Sequence, residues 1–385
     1  MRIQRGKVHL LNIPFKFSVS HAMATRDHSD SIIVQLTDSH GNSGFGEAVV
    51  REYVSGSLGS GEELTGRVER EVKSILSGLN GEEIDIDLCG EYFRTVKVDL
   101  SSYPILCAVE TAILDLLCQN SGRDIYDLLG LKPRREKLQY GGTLPMMPLE
   151  VARRILDGYG SYGISNIKVK IDRNLEYTRD VLSLGRELLG DNFDFRVDAN
   201  ASWDLEAALK NLEVLRALGV RLIEQPFERG SGKLEDLRAN LFSKDFIFMA
   251  DESAITISDI DDIAEKRDFS MVNIRLSKNG GFFKALEMAR KCDEKDIKYQ
   301  IGCHVGETGI LSAEERVLAS LLDPVYLDGS YDSYILEENV TTENIDFGIG
   351  GYAGIIRNRG IGFKVDENRL KRLSTVSSDF FEVSS

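Results

Sequence analysis

The chain has 385 residues, with 62 acidic against 47 basic side chains and a formal charge of −15. It carries no basic cluster, which excludes nucleic acid and anionic membranes as expected partners, and nothing in it reads as a signal peptide or a membrane span. The length exceeds one compact core, so two domains are expected, and five scattered cysteines read as buried free thiols of a reducing cytoplasm.

Residues 1–134 read as an α+β unit. KVHLLNIPF, SIIVQLTD and GFGEAVV are strand-like and joined by polar turns such as Asp38–Asn42. Helical stretches follow, LTGRVEREVKSILSGL and then CAVETAILDLLCQNSG, which ends at Gly122. From 135 to 345 the pattern changes. Eight short apolar runs, LQYGGT (138–143), NIKVKI, FDFRVDA, RLIEQP, FIFMAD, MVNIRL, KYQIGC and VYLDG, mark strands. Between them lie stretches such as LEAALKNLEVLRALG and FFKALEMARKCDEK, with apolar residues at helical spacing. The alternation predicts a parallel α/β architecture. The count favours a (β/α)7–8 TIM-type barrel over an open doubly wound sheet, since no GxGxxG opens a helix after a strand. Residues 346–385 begin with the glycine-rich Asp346–Gly354 and are expected to return to the first domain.

Three carboxylates each close one of these runs: Asp198 in VDAN, Glu224 in IEQP and Asp251 in ADES, at steps of 26 and 27 residues. One strand plus one crossover helix has that length, so all three emerge at the C-terminal rim, where barrel chemistry sits. Three converging carboxylates without cysteine or paired histidine suit a hard divalent cation, Mg²⁺ first. The plain alternative is three carboxylates that only cap solvated strand ends. Lys168 and Lys170 lie one beat upstream, and being two apart on a strand they face the same way. Arg275, His304 and Asp328 continue the beat downstream.

KVK, VDAN, EQP, ADES and a K-x-GG turn, in this order, resemble the enolase superfamily, specifically its mandelate racemase/muconate lactonizing branch. The likeness runs through nearly the whole chain. AVETAILDLL followed by GRDIYDLLG is similar to that family's junction between an α+β capping domain and the barrel. The resemblance implies Mg²⁺ on Asp198, Glu224 and Asp251, Lys170 as general base and Lys168 as its electrostatic helper. It also implies removal of the proton α to a carboxylate of a small substrate, giving a metal-stabilised enediolate, by a cytoplasmic homo-oligomer.

The chain departs from this pattern on the sixth strand. Five residues before Gly280-Gly281, where the branch places a second catalytic lysine, stands Arg275. Guanidinium stays protonated, so Arg275 can hold a carboxylate but cannot be a base. Lys278, three residues on, is expected in the turn and on another face. Glu252 is expected to point away from the mouth if Asp251 points in. His304 in GCHVGETG is a candidate second base or a polar rim contact. Glu307 and Asp328 sit where the family reads substrate, and Trp203 reads as packing. Polar loops at Ser18–Ser31 and Ala48–Ser57 would cap the site, bringing Arg26 and Tyr53 to the substrate. Racemisation or epimerisation is the leading expectation. A lyase with Lys170 as sole base is the second, and a non-catalytic binding protein on the same barrel is the third.

Overall fold

The computed structural model describes residues 1–59, 61–79 and 83–382. Its first layer is an antiparallel sheet ordered Ser374–Glu382, Ile3–Leu11, Ile32–Asp38, Ser43–Ala48, so the chain's last strand joins its first. The central strand IIVQLTD is buried on both faces between that sheet's neighbours and the helix Tyr103–Ser121. Gly44 and Gly46 let this helix approach: a Cβ on Gly46 would lie 1.8 Å from the Ala108 carbonyl oxygen. The helix ends at Gly122 in a left-handed turn (φ 68°), where the sequence expectation put it. Leu100–Ser121 is long and apolar enough to cross a membrane, contrary to the expectation of no such run. Here most of that stretch is buried as core.

The polar stretch Ser18–Ser31, expected as a loop, is most of a hairpin, Ile13–His21 paired with Ala24–Ser29. Ile13, Phe15, Phe17 and Val19 alternate along the first strand, but Ala24–Ser29 is polar and largely exposed, so no apolar alternation announces the second. The Ser20 carbonyl accepts from Met146 N (2.9 Å), which fastens the hairpin to a barrel loop.

Eight parallel strands follow in chain order: Gly142–Leu144, Asn166–Lys170, Asp194–Asp198, Leu222–Glu224, Ile247–Ala250, Met271–Ile274, Lys298–Ile301 and Tyr326–Leu327. Gly141 N donates to Leu327 O (2.9 Å), joining the first end to the last. The expected strand LQYGGT is divided in two. Lys137–Gln139 leaves the barrel to pair with Tyr352–Gly354, and only Gly142–Leu144 enters it. Gly351 (φ 75°) permits this, because a Cβ there would stand 2.2 Å from the Tyr140 carbonyl.

The two layers are tied through the wholly buried helix Gly309–Leu321. Glu47, on the capping strand Ser43–Ala48, accepts from Thr308 N (2.8 Å), Thr308 Oγ1 (2.7 Å) and Leu311 N (3.2 Å) at its start. A carboxylate at a helix N-terminus is favourable there. Lower on the same helix, Thr111 Oγ1 of the capping domain donates to Glu314 Oε2 at 2.7 Å.

Burial holds the Glu314 carboxyl up at about 8 from an ordinary 4.5, with Thr111 pulling it down and Asp115 adding to the rise. Between those values the folded chain keeps a proton that the unfolded chain has lost, so stability falls as pH rises through the window. Glu314→Gln removes this titration. The drop in melting temperature between about pH 5 and about pH 8 is expected to be smaller in the variant by a few degrees, read by calorimetry at both values.

Candidate active site

Parallel register sets Lys170 beside Asp198 and Asp198 beside Glu224. Lys170 Nζ lies 2.6 Å from Asp198 Oδ2 and 3.0 Å from Asn200 Oδ1. Lys168 faces the same way one layer deeper, 3.0 Å from Glu224 Oε2 and 3.9 Å from Asp198 Oδ2. Asp251 comes in from the fifth strand, its N–H held by Gln225 Oε1 (2.9 Å). Beyond these strand ends the chain turns left-handed at Asn200 (φ 42°), Ala201 (φ 59°) and Gln225 (φ 36°). Non-glycine residues adopt that conformation at a cost of about 1–3 kcal/mol each.

Each carboxylate of the triad meets a side-chain cation. Arg275 Nη2 reaches Asp251 Oδ2 (2.5 Å) and Glu224 Oε1 (3.4 Å), and Asn273 Nδ2 donates to the same Glu224 oxygen (2.7 Å). Lys278 is not on another face, as alternation suggested. Strand six stops at Ile274, and a short helix, Leu276–Asn279, carries Lys278 Nζ back to Asp251 Oδ1 and the Asp251 carbonyl, both at 2.9 Å. Glu252 is likewise buried at the mouth and does not point away, because its strand ends at Ala250 and the turn redirects it. Burial, then Asp251 and Asp198, push its carboxyl up to about 8.

Burial would raise the Asp251 carboxyl, but Arg275 and Lys278 hold it well below the usual range. Asp198 is lowered in the same way, its burial outweighed by Lys170 and Lys168. Burial and Asp198 raise Glu224 in spite of Lys168. All three side chains are buried and offer only oxygen, a donor set that fits a hard divalent cation. Among the described residues, no three His, Cys, Asp or Glu side chains stand close enough together to hold a metal in this arrangement.

His304 is buried, and neither ring nitrogen has a hydrogen-bond partner. Burial, with Arg275 and Arg51 beside it, keeps the imidazole far below its ordinary pKa and so neutral. Glu307 lies beneath it, accepting from His304 N (2.5 Å). From the covering layer come His21 and Tyr53, with ring centroids 5.6 Å apart, and Arg26 and Arg51, which share Asp30 at 2.9 Å each. The charges of Lys170 and Arg275 reach both His21 and Tyr53, so these rings wall the mouth. Trp203 is buried and donates to the Asp172 carbonyl (2.9 Å), a packing role.

Asp328, expected to read substrate, is committed within the barrel. It takes Arg196 through both nitrogens (2.5 and 3.1 Å) and Lys168 Nζ at 2.9 Å. Arg196 had not been singled out in the sequence, although it stands two residues before Asp198 as Lys168 stands two before Lys170, and the register pairs the two. Period-two alternation places both one layer below the rim. Asp328→Ala leaves two buried cations short of their partner. It is expected to cost about 3–5 kcal/mol in chemical denaturation, and Arg196→Met in that background should recover part of the loss.

Residues 150–369 match the family model described as Enolase C-terminal domain-like. The chain is 26% identical over 327 residues to an L-Ala-D/L-Glu epimerase of Clostridium acetobutylicum, covering 83% of this chain and 87% of that protein. Its fold superimposes on an N-succinyl Arg/Lys racemase from Bacillus cereus with a TM-score of 0.85, at 19% identity over 98% of this chain and all of the other. It also superimposes on a dipeptide epimerase from Cytophaga hutchinsonii complexed with Mg and D-Ala-L-Val, with a TM-score of 0.83 at 20% identity, covering 99% of this chain and all of that one.

Proposed function

Because the chain belongs to the Enolase C-terminal domain-like family, we propose that it removes the proton α to a carboxylate and returns it to the opposite face, racemising or epimerising a small acid. The observation that carries this reading is the packing of Lys170 against Asp198 on the same rim as Glu224 and Asp251. Lys170 is the base. Its amine lies at the mouth, with 12% of the side chain exposed, where a bound acid can present its α-carbon. Asn200 Oδ1 and Asp198 Oδ2 orient that amine.

Lys168 cannot share this role. Burial alone would lower its pKa, but Asp328, Glu224 and Asp198 outweigh burial and keep it protonated. It acts as a fixed positive charge below the reacting centre. Arg275 supplies another, and His304, neutral and with no hydrogen bond at either ring nitrogen, would move the proton on the second face. Asp198, Glu224 and Asp251 would hold Mg²⁺. The ion would supply positive charge beside the substrate carboxylate as that group gains its second negative charge. The covering residues of the 1–134 unit, His21, Arg26, Arg51 and Tyr53, exclude water and meet the distal end of the substrate.

One observation favours a lyase as the second reading: a permanent cation, Arg275, stands where a second lysine base would serve. α-Proton exchange in D₂O separates the two. Wild-type enzyme is expected to exchange both enantiomers of its substrate. Lys170→Ala should lose exchange by about 10²–10⁴ while keeping its circular dichroism. His304→Asn should exchange only the enantiomer presented to Lys170. One-sided exchange by the wild type, with an unsaturated product, replaces racemisation with the lyase.

A further inference from the structure

Beneath His304 lie two acids to which the α-proton step gives no part. Glu307 follows on the same loop and Glu315 comes from the helix Gly309–Leu321, and neither is more than 5% exposed. Glu307 Oε1 accepts from His304 N (2.5 Å) and stands 3.6 Å from Nδ1 of the same residue. Glu307 Oε2 and both Glu315 oxygens are buried without an N–H or hydroxyl donor from any other group. The two carboxyls hydrogen-bond each other instead, and such a bond needs a proton on one of them. Two buried carboxylates this close do not both ionise. Glu307 already has the His304 amide, which favours its charged form, so Glu315 is the one that keeps the proton.

The other groups facing the pair do not supply that hydrogen. Glu47, from the strand Ser43–Ala48, is an acid already held by Ser31 and Thr308. Arg275 acts on both acids only through its charge, and burial pushes the Cys303 thiol far up. On the imidazole act Arg275, Arg51 and Lys278, with Asp251 opposing them. Those cations disfavour an imidazolium, so a proton taken up by this ring needs a negative partner.

We infer that Glu307 and Glu315 are positioning residues that set the tautomer of His304: protonated Glu315 donates to Glu307 Oε2, ionised Glu307 accepts Nδ1–H through Oε1, and Nε2 is left bare for the substrate. Hydrogen bonds of this kind are commonly long until a site is loaded, and the 3.6 Å separation is within reach of closing. This rests on the proposal that His304 moves a proton, and Glu307 is then the charge that steadies the ring when Nε2 takes one. Burial holds Glu307 up at about 8, with Glu47 adding to the rise and His304 N, Arg275 and Glu315 pulling it down. The bare Nε2 is therefore expected above about pH 8, and below it Glu307 is protonated and Nδ1–H loses its acceptor.

The test is ¹⁵N NMR of the histidine-labelled full chain with Mg²⁺, whose five histidines allow assignment by a His304→Asn variant. The His304 ring nitrogens are expected to shift with a midpoint at about pH 8 while the ring stays neutral on both sides of it. Glu307→Gln should abolish that midpoint. Glu315→Leu removes the donor and should move it up by at least about one pH unit. Glu315→Gln still donates and should leave it within about half a unit. Unmoved signals from the remaining histidines show that each variant is folded. No midpoint in the wild type, or one that survives Glu307→Gln, overturns the inference. So does a midpoint lost in Glu252→Gln or Glu314→Gln, or one unchanged in Glu315→Leu. Exchange of the α-proton in D₂O is followed on the same samples. The expected titration without any exchange defeats the reaction and leaves the pair standing, whereas two-sided exchange with a silent His304 does the reverse.

Discussion

Buried charge can exist in a barrel only if it alternates in sign, and that constraint shapes this molecule. Burying one ion costs several kcal/mol even after relaxation, unless an opposite charge with good geometry meets it. Here Asp198, Glu224, Asp251 and Asp328 interleave with Lys168, Lys170, Arg196, Arg275 and Lys278. Each strand contributes at most a residue or two, so the arrangement exists only once the eight strands are in register. Chemistry and fold are therefore coupled. A shift of one residue in any of these strands would turn its charges out of the barrel.

The capping layer depends on the same economy of polar groups. Glu47 satisfies the start of the helix Gly309–Leu321, and the segment just before that helix carries His304 and Glu307. Ser29 and Ser31 donate to the Gly306 carbonyl (2.6 and 3.3 Å), and Arg51 donates to the Val305 carbonyl (2.5 Å). The covering strands thus reach the loop that carries His304 and Glu307 through its backbone. Loop residues that differ between proteins on this scaffold can change what enters without disturbing what reacts.

Much of the site was readable because strand and helix lengths are quantised. Steps of 26 and 27 residues put Asp198, Glu224 and Asp251 at one rim, and alternation put Lys168 with Lys170. The signal stops where strands stop. Lys278 and Glu252 lie just past strand ends, where period two no longer applies and a short helix or turn decides direction. Asp328 looked available because its partner Arg196 is 132 residues away in sequence. The hairpin over the mouth was hidden for a different reason: its second strand, Ala24–Ser29, is polar and largely exposed, with no apolar side to reveal it.

The central claim is that this charge lattice opens to place one divalent cation among Asp198, Glu224 and Asp251. A crystal structure with Mn²⁺ standing in for Mg²⁺ tests it most directly, through the anomalous signal of the ion. The account predicts one strong peak per chain bonded to those three carboxylates at about 2.1 Å, with Arg275 moved off Glu224 and Asp251. A peak at any other cluster, or one that takes Glu252 in place of Asp251, would contradict it.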